Sequence, residues 1–352
     1  MKELRLLMLG FGNAGRAFAG LLVEKHREIA DCYGYEVKVV AIVTGSRGSL
    51  LNPDGIDLIG AIKEIEESGR FNKGRSDYSQ ISSMEAAASA DYDVLLELTP
   101  LDIFTGQPAI DHIKTALDRG KHVITANKGP IAWAYKELKN KANEKGACFL
   151  HETTVMDGAP IFNMARDTLP LCRVTGIKGI LNSTTNYILG EMAKGCKYED
   201  ILAEGRRRGF VEADPSMDIE GWDAAAKTAA LMNVLMDAGI TPMDIIREGI
   251  EKITAKDIEM AANRGNVIKL LCYGRMENGL PVGSVRPEEI PKEDLFACIE
   301  GTTSAVSITT DLMKTITIVE EDPDIEQTAY GPLVDLLTIL KKKIMKAIIP
   351  ET

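Results

Sequence analysis

A dense group of charged side chains in the middle of the chain has the composition of an acid–base site. Residues 212–227 contain five carboxylates and one lysine: Glu212, Asp214, Asp218, Glu220, Asp223 and Lys227. A helix that begins near Ile219 would place Glu220, Asp223 and Lys227 on one narrow arc, since residues three, four and seven apart share a face. Farther along, residues 228–235 are apolar nearly all round, which is typical of a buried helix.

This pattern has two interpretations. Unpaired charge is costly to bury, so charged side chains on the first turns of a buried helix are expected to point into a pocket. The alternative is a solvated N-terminal turn, in which the helix dipole favours the acids and an Asp–Lys pair four residues apart adds a few tenths of a kcal/mol. The apolar continuation of the same face favours the pocket.

The start of the chain combines a strand, a glycine motif and a helix in the order that a dinucleotide site requires. Leu4–Leu9 is an apolar run typical of a buried parallel strand, and a helical segment follows from Arg16. Between them, Gly10 permits a tight turn, Gly12 lets a pyrophosphate approach the backbone, and Gly15 lets helix and strand pack closely. The free N–H groups of the helix start would bind the phosphates. The predicted cofactor-binding residues of this motif are Gly10, Phe11, Gly12, Asn13, Ala14 and Gly15.

The end of the second strand bears on the choice of cofactor. Glu36–Val43 is predicted to be that strand, and Thr44-Gly45-Ser46-Arg47 follows it. A site that prefers NAD usually has Asp or Glu here, to bind the ribose 2′-hydroxyl. Ser46 and Arg47 instead offer a hydroxyl and a guanidinium, which suit a 2′-phosphate. The sequence therefore predicts NADP, with NAD as the alternative if Arg47 belongs to an ordinary polar loop.

Length and composition exclude several classes of function. The chain has 352 residues, enough for two domains with their own cores, and its formal net charge of −11 argues against nucleic acid or a membrane surface as partner. No apolar run reaches transmembrane length, and the charged start is not a signal peptide. The six cysteines lack C-x-x-C spacing and the four histidines lack metal-ligand spacing. We therefore expect reduced thiols, a cytoplasmic protein and no zinc.

The order of predicted elements gives the fold class. Over residues 1–150, strands alternate with helices such as Ile110–Arg119 and Ile131–Lys145. The predicted strands are Leu4–Leu9, Val37–Val43, Val94–Leu98, His122–Thr125 and Cys148–Glu152. This alternation predicts an α/β fold, with a Rossmann-type doubly wound parallel sheet as the dinucleotide-binding domain.

From residue 151 to 320 the pattern changes to that of an α+β domain. Its predicted strands are Val174–Leu181, Val267–Tyr273, Thr303–Thr310 and Thr315–Glu320. Its predicted helices are Tyr187–Lys194, Tyr198–Arg208 and Gly221–Ala238. A last helix, Ile325–Leu340, precedes a lysine-rich segment that we expect to be solvated. The C-terminal helical segment, residues 325–345, is expected to complete the first domain.

Several separated motifs resemble homoserine dehydrogenase, from Gly10 to about Ala329. They are Gly10-Phe-Gly-Asn-Ala-Gly15, Leu98-Thr-Pro100, Gly120-Lys-His-Val-Ile-Thr-Ala-Asn127-Lys128-Gly-Pro130, Glu152-Thr-Thr-Val155, Gly179-Ile-Leu-Asn-Ser-Thr-Thr-Asn-Tyr-Ile188, Gly209–Lys227 and Glu300-Gly-Thr302. The resemblance implies an NAD(P)-dependent enzyme of threonine, methionine and isoleucine biosynthesis that interconverts L-aspartate 4-semialdehyde and L-homoserine. It also implies a cytosolic homodimer whose second domain serves catalysis and dimerisation, in a short form without a C-terminal regulatory domain.

The resemblance assigns catalytic roles that make chemical sense. Hydride addition to an aldehyde builds negative charge on oxygen, so the site needs a positioned cation or acid. Lys227 and Lys128 match the family's two active-site lysines, and Lys227 is the expected proton donor, with Lys128 as the alternative. Asp223 would orient Lys227 through a charge-assisted hydrogen bond.

Binding roles follow from the same resemblance. Glu212 and Asp218 match positions that bind the substrate's amino group, and Thr184 and Ser183 lie in the family's substrate loop. Cofactor contacts are implied for Thr99, Pro100 and Lys128, with Thr99 and Pro100 at the carboxyl edge of the sheet where the nicotinamide should lie. A monovalent-cation loop, for which sodium is the expected ion, is implied for Glu152, Val155, Asp157 and Ala159.

The chain departs from the family pattern at three places. Phe210 stands where the family often has tyrosine, and Ser183 replaces a glycine. The segment 320–324, Glu-Glu-Asp-Pro-Asp, stands where the family usually has a glycine-rich loop against the cofactor. Four acids near a pyrophosphate would repel it unless the loop points outward. The alternative function is therefore a dimeric paralogue with altered substrate or no catalysis that binds a nucleotide weakly, whereas the intact set of lysines and acids favours the enzyme.

Overall fold

The computed structural model describes the backbone of residues 1–348 and the side chains of residues 1–345. The chain divides into two compact units. Within the described residues, the first comprises 1–130, 134–160 and 324–348, and the second comprises 131–133 and 161–323. In the described part of the chain, none of the helices is long and apolar enough to span a bilayer.

The first unit contains a seven-stranded sheet. In chain order its strands are β1 (Lys2–Leu9), β2 (Tyr35–Val43), β3 (Ser49–Leu51), β4 (Tyr78–Ser79), β5 (Val94–Glu97), β6 (His122–Thr125) and β7 (Phe149–Leu150). Their spatial order is β4-β3-β2-β1-β5-β6-β7, and the five strands from β2 to β7 in that order are parallel. The predicted doubly wound sheet is confirmed. Its antiparallel edge, β3 and β4, was not predicted, because two and three residues are too short to give a period.

Helices cover both faces of this sheet. They are α1 (Asn13–Tyr33), α2 (Leu58–Ser68), α3 (Ser83–Ser89), α4 (Ala109–Asp118) and α5 (Lys128–Glu144), followed by a 3₁₀ turn at Glu152–Thr154. Strand β1 shows why both faces are needed. Leu4 and Leu6 lie in one buried cluster with Phe18 of α1, whereas Leu7 and Leu9 lie in the other. Successive side chains point to opposite faces of a strand, so an all-apolar strand is stable only between two helical layers.

The second unit is built on a six-stranded sheet. Its strands are β8 (Val174–Ile180), β9 (Ile246–Arg247), β10 (Asn266–Glu277), β11 (Leu280–Pro291), β12 (Ser304–Thr310) and β13 (Thr315–Glu320), in the spatial order β13-β12-β8-β10-β11-β9. Its helices are α6 (Phe162–Thr168), α7 (Ser183–Ala193), α8 (Tyr198–Arg208), α9 (Ser216–Ile219), α10 (Trp222–Met236) and α11 (Ala255–Asn263), with 3₁₀ turns at Pro242–Asp244 and Leu295–Cys298.

Strand β11 was missed in the sequence because it contains three prolines. Pro281, Pro287 and Pro291 lie opposite residues of β10 in a twelve-pair antiparallel ladder. The other edge of β11 pairs with β9 only at Ser284 and Val285. Proline lacks the N–H that a central strand needs, so it is accepted where one edge is largely unpaired.

The final helix, α12 (Ile325–Ile348), returns to the first unit. Leu336, Ile339 and Leu340 join the buried cluster that contains Phe18 and Leu22 of α1. The helix continues past its predicted end at Leu340, so the lysine-rich segment is helical, although Lys341 and Lys342 are exposed as expected.

One lysine is buried in the second unit. Lys269 on β10 is 4% exposed, and its ammonium donates hydrogen bonds to Asn186 Oδ1 and to the Ile299 carbonyl. Asn186 in turn donates to the carbonyls of Ile299, Gly301 and Thr303. The loop that follows Ile299 is therefore held by one amide and one ammonium. Burial lowers the pKa of Lys269 from 10.5 to about 8.

The lowered pKa of Lys269 predicts how stability depends on pH. Between pH 8 and 10.5 the unfolded chain binds a proton here that the folded chain has lost, so the free energy of unfolding rises with pH in this window. The total rise is about 3 kcal/mol. In urea titrations over this pH range, the free energy of unfolding should rise more steeply with pH for the wild type than for Lys269→Met. The control Lys256→Met, at an exposed lysine, should keep the wild-type slope. A Lys269→Met protein with the wild-type slope would contradict the assignment.

Candidate active site

A cavity of about 900 Å³ opens at the carboxyl ends of the parallel strands in the first unit. It is lined by the segments that follow β1, β2 and β5, including Gly10, Arg47 and Thr99. The chain leaves β1 towards β2 on one side and later returns to β5 on the other, so the cavity lies at the switch point of the sheet. Open α/β sheets bind their ligands at this place.

The glycine motif has the geometry of a nucleotide cradle. Gly10 has φ +100°, and a Cβ there would lie 2.3 Å from the Leu98 carbonyl oxygen, so no other residue fits. A Cβ on Gly15 would lie 3.0 Å from the Gly10 carbonyl oxygen, so the close approach of helix and strand here favours glycine. Gly12, by contrast, faces open space within 4 Å. The backbone beside Gly12 is thus accessible to a ligand.

The start of α1 has the features of an anion site. Gly12 is the N-cap and supplies no side chain, so the first N–H groups of the helix, from Asn13 and Ala14 onwards, are not capped by it. The dipole and the unsatisfied donors at such a helix start favour phosphate. The Phe11 carbonyl beside it accepts hydrogen bonds from two guanidinium groups, those of Arg16 at 3.5 Å and Arg47 at 3.2 Å.

The loop after β2 carries its guanidinium towards the same cavity. Thr44 Oγ1 accepts the Arg47 N–H at 2.9 Å and donates to the Gly48 carbonyl at 2.7 Å, which closes the loop. Arg47 is half-buried, whereas Ser46 is exposed, and both line the cavity. One guanidinium and one hydroxyl group therefore lie on the wall where a ribose 2′-substituent is expected.

The segment after β5 is fixed by polar side chains. Thr99 donates both its hydroxyl and, at 3.3 Å, its N–H to Glu97 Oε1. Asn127 Nδ2 donates to the Thr99 carbonyl at 3.1 Å, and Asn127 also caps α5 by accepting the Gly129 N–H. Lys128 is the first residue of α5 and is half-buried. Pro100 is exposed.

The second unit brings together two predicted catalytic residues, Lys227 and Asp223, and one predicted substrate-binding residue, Asp218. Lys227 Nζ lies 3.3 Å from Asp223 Oδ2 and donates to the Leu181 carbonyl at 2.8 Å. Their side chains are 18% and 15% exposed, so the pair is largely shielded from water. Asp218 joins the group through Asn182, whose amide donates to Asp218 Oδ1 at 2.6 Å and to Asp223 Oδ2 at 2.9 Å. The arrangement is a half-buried cation with two carboxylates.

Asn182 is one residue of this site that the sequence interpretation missed. It is 5% exposed, and its Oδ1 accepts the Thr185 N–H at 2.9 Å as the N-cap of α7. In the sequence it looks like an ordinary helix cap. Only the fold shows that the same amide bridges two carboxylates 36 and 41 positions away.

The helix start near Ile219, on which the charged arc depended, was wrong, whereas the predicted helix Gly221–Ala238 starts within one residue of the observed α10. Gly221 has φ +80° and separates the short α9 from α10, so the helix begins at Trp222 and not near Ile219. Glu220 therefore does not lie on the arc of Asp223 and Lys227. Its carbonyl oxygen accepts a hydrogen bond from Arg247 instead.

The remaining predicted substrate residues fall into two groups. Thr184 is buried, and its hydroxyl donates to the Phe210 carbonyl at 3.4 Å, while Ser183 is the half-buried first residue of α7. Glu212 is exposed, and its side chain makes no hydrogen bond or ion pair with the described residues. The structure thus gathers Asp218, Asp223 and Lys227 but does not attach Glu212 to them.

Comparisons with known proteins give the family. The sequence model described as homoserine dehydrogenase matches residues 160–337, and that of the homoserine dehydrogenase NAD-binding domain matches residues 10–152. A homoserine dehydrogenase of Methanocaldococcus jannaschii is 38% identical over 335 residues, which cover 95% of this chain and 98% of the relative. The chain belongs to the homoserine dehydrogenase family.

Two further members of the homoserine dehydrogenase family differ in their named cofactor. The NAD(+)-dependent homoserine dehydrogenase of Pseudomonas canavaninivorans is 32% identical over 342 residues, covering 96% of this chain and 97% of the relative. A hyperthermophilic archaeal homoserine dehydrogenase solved in complex with NADPH has a TM-score of 0.82 at 28% identity, covering 97% and 98%. The chain is thus an NAD(P)-dependent oxidoreductase that acts on a small molecule. The predicted family and enzyme class are confirmed, and the alternative of a non-catalytic paralogue is not favoured.

The loop for which the sequence analysis predicted a cation site is buried. Glu152 is 2% exposed and Val155 and Ala159 are also buried. Asp157 has φ +35°, and its Oδ1 accepts the Thr328 hydroxyl of α12 at 2.7 Å. Within residues 1–345, no cluster of three or more His, Cys, Asp or Glu side chains is arranged to hold a metal.

The acidic segment at residues 320–324 is hydrogen-bonded to its own neighbours. Asp322 accepts the Thr302 hydroxyl, and its N–H donates to Thr303 Oγ1 at 3.3 Å. Asp324 Oδ1 accepts the Glu326 N–H at 2.8 Å at the start of α12. Two of the four acids thus have local hydrogen-bonding roles.

Proposed function

We propose that the chain reduces L-aspartate 4-semialdehyde to L-homoserine, reversibly, with NADPH and a proton as co-substrates. The observation that carries this proposal is the Lys227–Asp223 pair, a half-buried ammonium held by a carboxylate at 3.3 Å and by the Leu181 carbonyl at 2.8 Å. A cation fixed in this way is suited to an aldehyde oxygen that gains negative charge. The test is protein-dependent formation of reduced cofactor from homoserine, followed at 340 nm with NADP and with NAD.

In this proposal each residue has one task. When bound, the nicotinamide cofactor supplies the hydride for the aldehyde carbon. Lys227 donates the proton to the aldehyde oxygen, and Asp223 keeps its ammonium aligned through a charge-assisted hydrogen bond. Asp218 binds the substrate ammonium, with Glu212 as a second carboxylate, and Thr184 and Ser183 form the substrate loop. Lys128 supports the charge of the substrate or cofactor.

The first unit has the features that such a cofactor needs. The open backbone at Gly12 and the uncapped start of α1 suit the pyrophosphate, with Gly10, Phe11, Asn13, Ala14 and Gly15 forming the turn. Thr99 and Pro100 would lie along the nicotinamide. Ser46 and Arg47 would bind the 2′-phosphate, which supports NADP over NAD.

Replacing Arg47 tests the cofactor preference. We expect Arg47→Asp to lower the ratio of kcat/KM for NADP to kcat/KM for NAD by about 10- to 100-fold. The substitution removes a partner of the 2′-phosphate and adds an acceptor for the 2′-hydroxyl. Steady-state kinetics with both cofactors measure this ratio, and Arg70→Asp, at an exposed position outside the cavity lining, is the control. An unchanged ratio would mean that Arg47 only closes its loop.

Three finer features belong to the same proposal. Sodium would be bound by Glu152 and by carbonyls of Val155, Asp157 and Ala159, because a hard cation prefers oxygen ligands. Exchanging sodium chloride for choline chloride should then lower the thermal midpoint of unfolding.

The protein would be a homodimer, for which sedimentation at micromolar concentration is the test. A cytoplasmic location fits the six cysteines, none of which forms a disulfide in the described part of the chain, and cell fractionation would contradict it if the protein were found outside.

The acidic segment at residues 320–324 suggests a test of the alternative function, a paralogue that binds a nucleotide weakly. If residues 320–324 repel the cofactor, NADPH affinity should increase as salt screens the acids, against the usual loss for a phosphate ligand. Calorimetry at low and high ionic strength distinguishes these trends. An affinity that falls with salt would show that the segment leaves the phosphates unaffected.

A further inference from the structure

A buried polar cluster lies behind the wall of the cofactor cavity. Its members are Glu97 at the end of β5, Thr99 after it, His112 on α4 and Ser83 on α3, and the last three line the cavity. The side chains of Glu97 and His112 are both 0% exposed. His112 Nδ1 lies 3.5 Å from Glu97 Oε1, and His112 Nε2 lies 2.8 Å from Ser83 Oγ.

This cluster is unusual because it is not fully satisfied. Glu97 Oε2 and His112 Nδ1 are buried and have no hydrogen-bond partner in the described part of the chain. Within the same residues, His112 is the one basic side chain at ion-pair distance from Glu97. A buried carboxyl with so little compensation is destabilising, and an apolar side chain would be a cheaper way to fill this space. Its presence therefore calls for a role beyond packing.

The contacts show where that role would be exerted. Glu97 Oε1 accepts both the hydroxyl and the N–H of Thr99, and Asn127 holds the Thr99 carbonyl from the other side. Three polar atoms of Thr99 are thus fixed by side chains whose own positions are set by buried strands and a helix cap. His112 reaches Thr99 only through Glu97.

We propose that Glu97 and His112 act as one positioning unit that holds Thr99 in the orientation required by the nicotinamide half of the cofactor. In this unit Glu97 orients Thr99, and His112 compensates the buried carboxyl so that it accepts both Thr99 donors. The proposal rests on the proposed function, since it takes NADPH as the occupant of the cavity. Neither residue touches the reacting atoms.

Two ligands separate this role from a general loss of packing. NADPH contains the nicotinamide, whereas 2′-phospho-ADP-ribose contains the rest of the molecule without it. Calorimetry should give the Kd of both for the wild type, His112→Leu, Glu97→Gln, the double variant Glu97→Gln/His112→Leu and Glu97→Leu. Ser89→Ala is the control, at an exposed position of α3 outside the cavity lining.

The expected pattern is a rescue. His112→Leu leaves the carboxyl uncompensated and should weaken NADPH binding about 10-fold or more, with the fragment changed less than about 2-fold. Glu97→Gln keeps an oxygen for Thr99 and needs no counter-group, so it should stay within about 3-fold of the wild type, and the double variant should match it. Glu97→Leu should lose about 10-fold, and Ser89→Ala should bind both ligands like the wild type.

Two outcomes would overturn the proposal. One is a double variant as weak as His112→Leu, or weaker, since packing losses accumulate and are not rescued. The other is an equal loss for NADPH and the fragment. If His112→Leu does not fold, the comparison of Glu97→Leu with Glu97→Gln decides alone, and equal NADPH affinities of these two would count against the unit. Failure of the wild type to bind NADPH would overturn the proposed function as well as the positioning unit. Variants that depart from the expected pattern would overturn only the positioning unit.

Discussion

Lys227→Ala should lower kcat by about 10²- to 10⁴-fold and leave the Kd of NADPH within about 2-fold. The magnitude is that of losing a general acid. The cofactor affinity should persist because the glycine motif, the start of α1 and Arg47 all belong to the other unit. The measurements are steady-state reduction of aspartate 4-semialdehyde and calorimetric titration with NADPH.

The matched control for this variant is Lys194→Ala. Lys194 is an exposed lysine of the same unit, paired with Glu191 at 2.7 Å, and its loss should change kcat less than about 2-fold. A primary amine added to the Lys227→Ala protein should restore part of the rate. Near-normal turnover of Lys227→Ala would remove Lys227 as proton donor, and Lys128→Ala would then be the variant to show the large loss.

Asn182→Asp should lower kcat/KM by about 100-fold, although it changes one amide nitrogen to oxygen. The aspartate keeps an oxygen for the Thr185 N–H and so keeps the cap of α7. It replaces the donor between Asp218 and Asp223 with a third carboxylate, and like charges at hydrogen-bond distance in a half-buried site repel strongly. Both acids should then move or take up protons.

Asn182→Ser separates the bridging role from the capping role. Serine is a good N-cap but cannot reach two carboxylates, so kcat/KM should fall about 10-fold while the thermal midpoint stays near that of the wild type. The kinetic and thermal measurements together make the distinction. If Asn182→Asp kept wild-type kcat/KM, the amide bridge would be irrelevant to the reaction.

The sequence predicted those parts of the fold that depend on local chemistry. Gly10 and Gly15 were expected at a tight turn and a close contact, and in the structure Gly10 has φ +100° and a Cβ on Gly15 would lie 3.0 Å from the Gly10 carbonyl oxygen. The apolar run of β1 predicted a strand buried on both faces. Such features need only a few adjacent residues to be recognised.

Features that depend on distant contacts were missed. Gly221 is compatible with a helix in the sequence, and only its positive φ in the folded chain shows that α10 starts after it. Asn182 and Glu97 are ordinary residues at the ends of apolar runs. Their roles arise from Asp218, Asp223, Thr99 and His112, which the fold brings to them. A single sequence contains no signal for such pairs.

The most direct test of the proposed reaction follows the hydride itself. With NADPH that carries deuterium at the transferred position of the nicotinamide, the protein should convert L-aspartate 4-semialdehyde to L-homoserine that is one mass unit heavier. The deuterium should be at C4 of the product. Mass spectrometry of the product detects this. The account predicts one deuterium per homoserine from NADPH labelled on one face of the ring and none from the other. Homoserine without label from either, or no homoserine above the protein-free control, would contradict it.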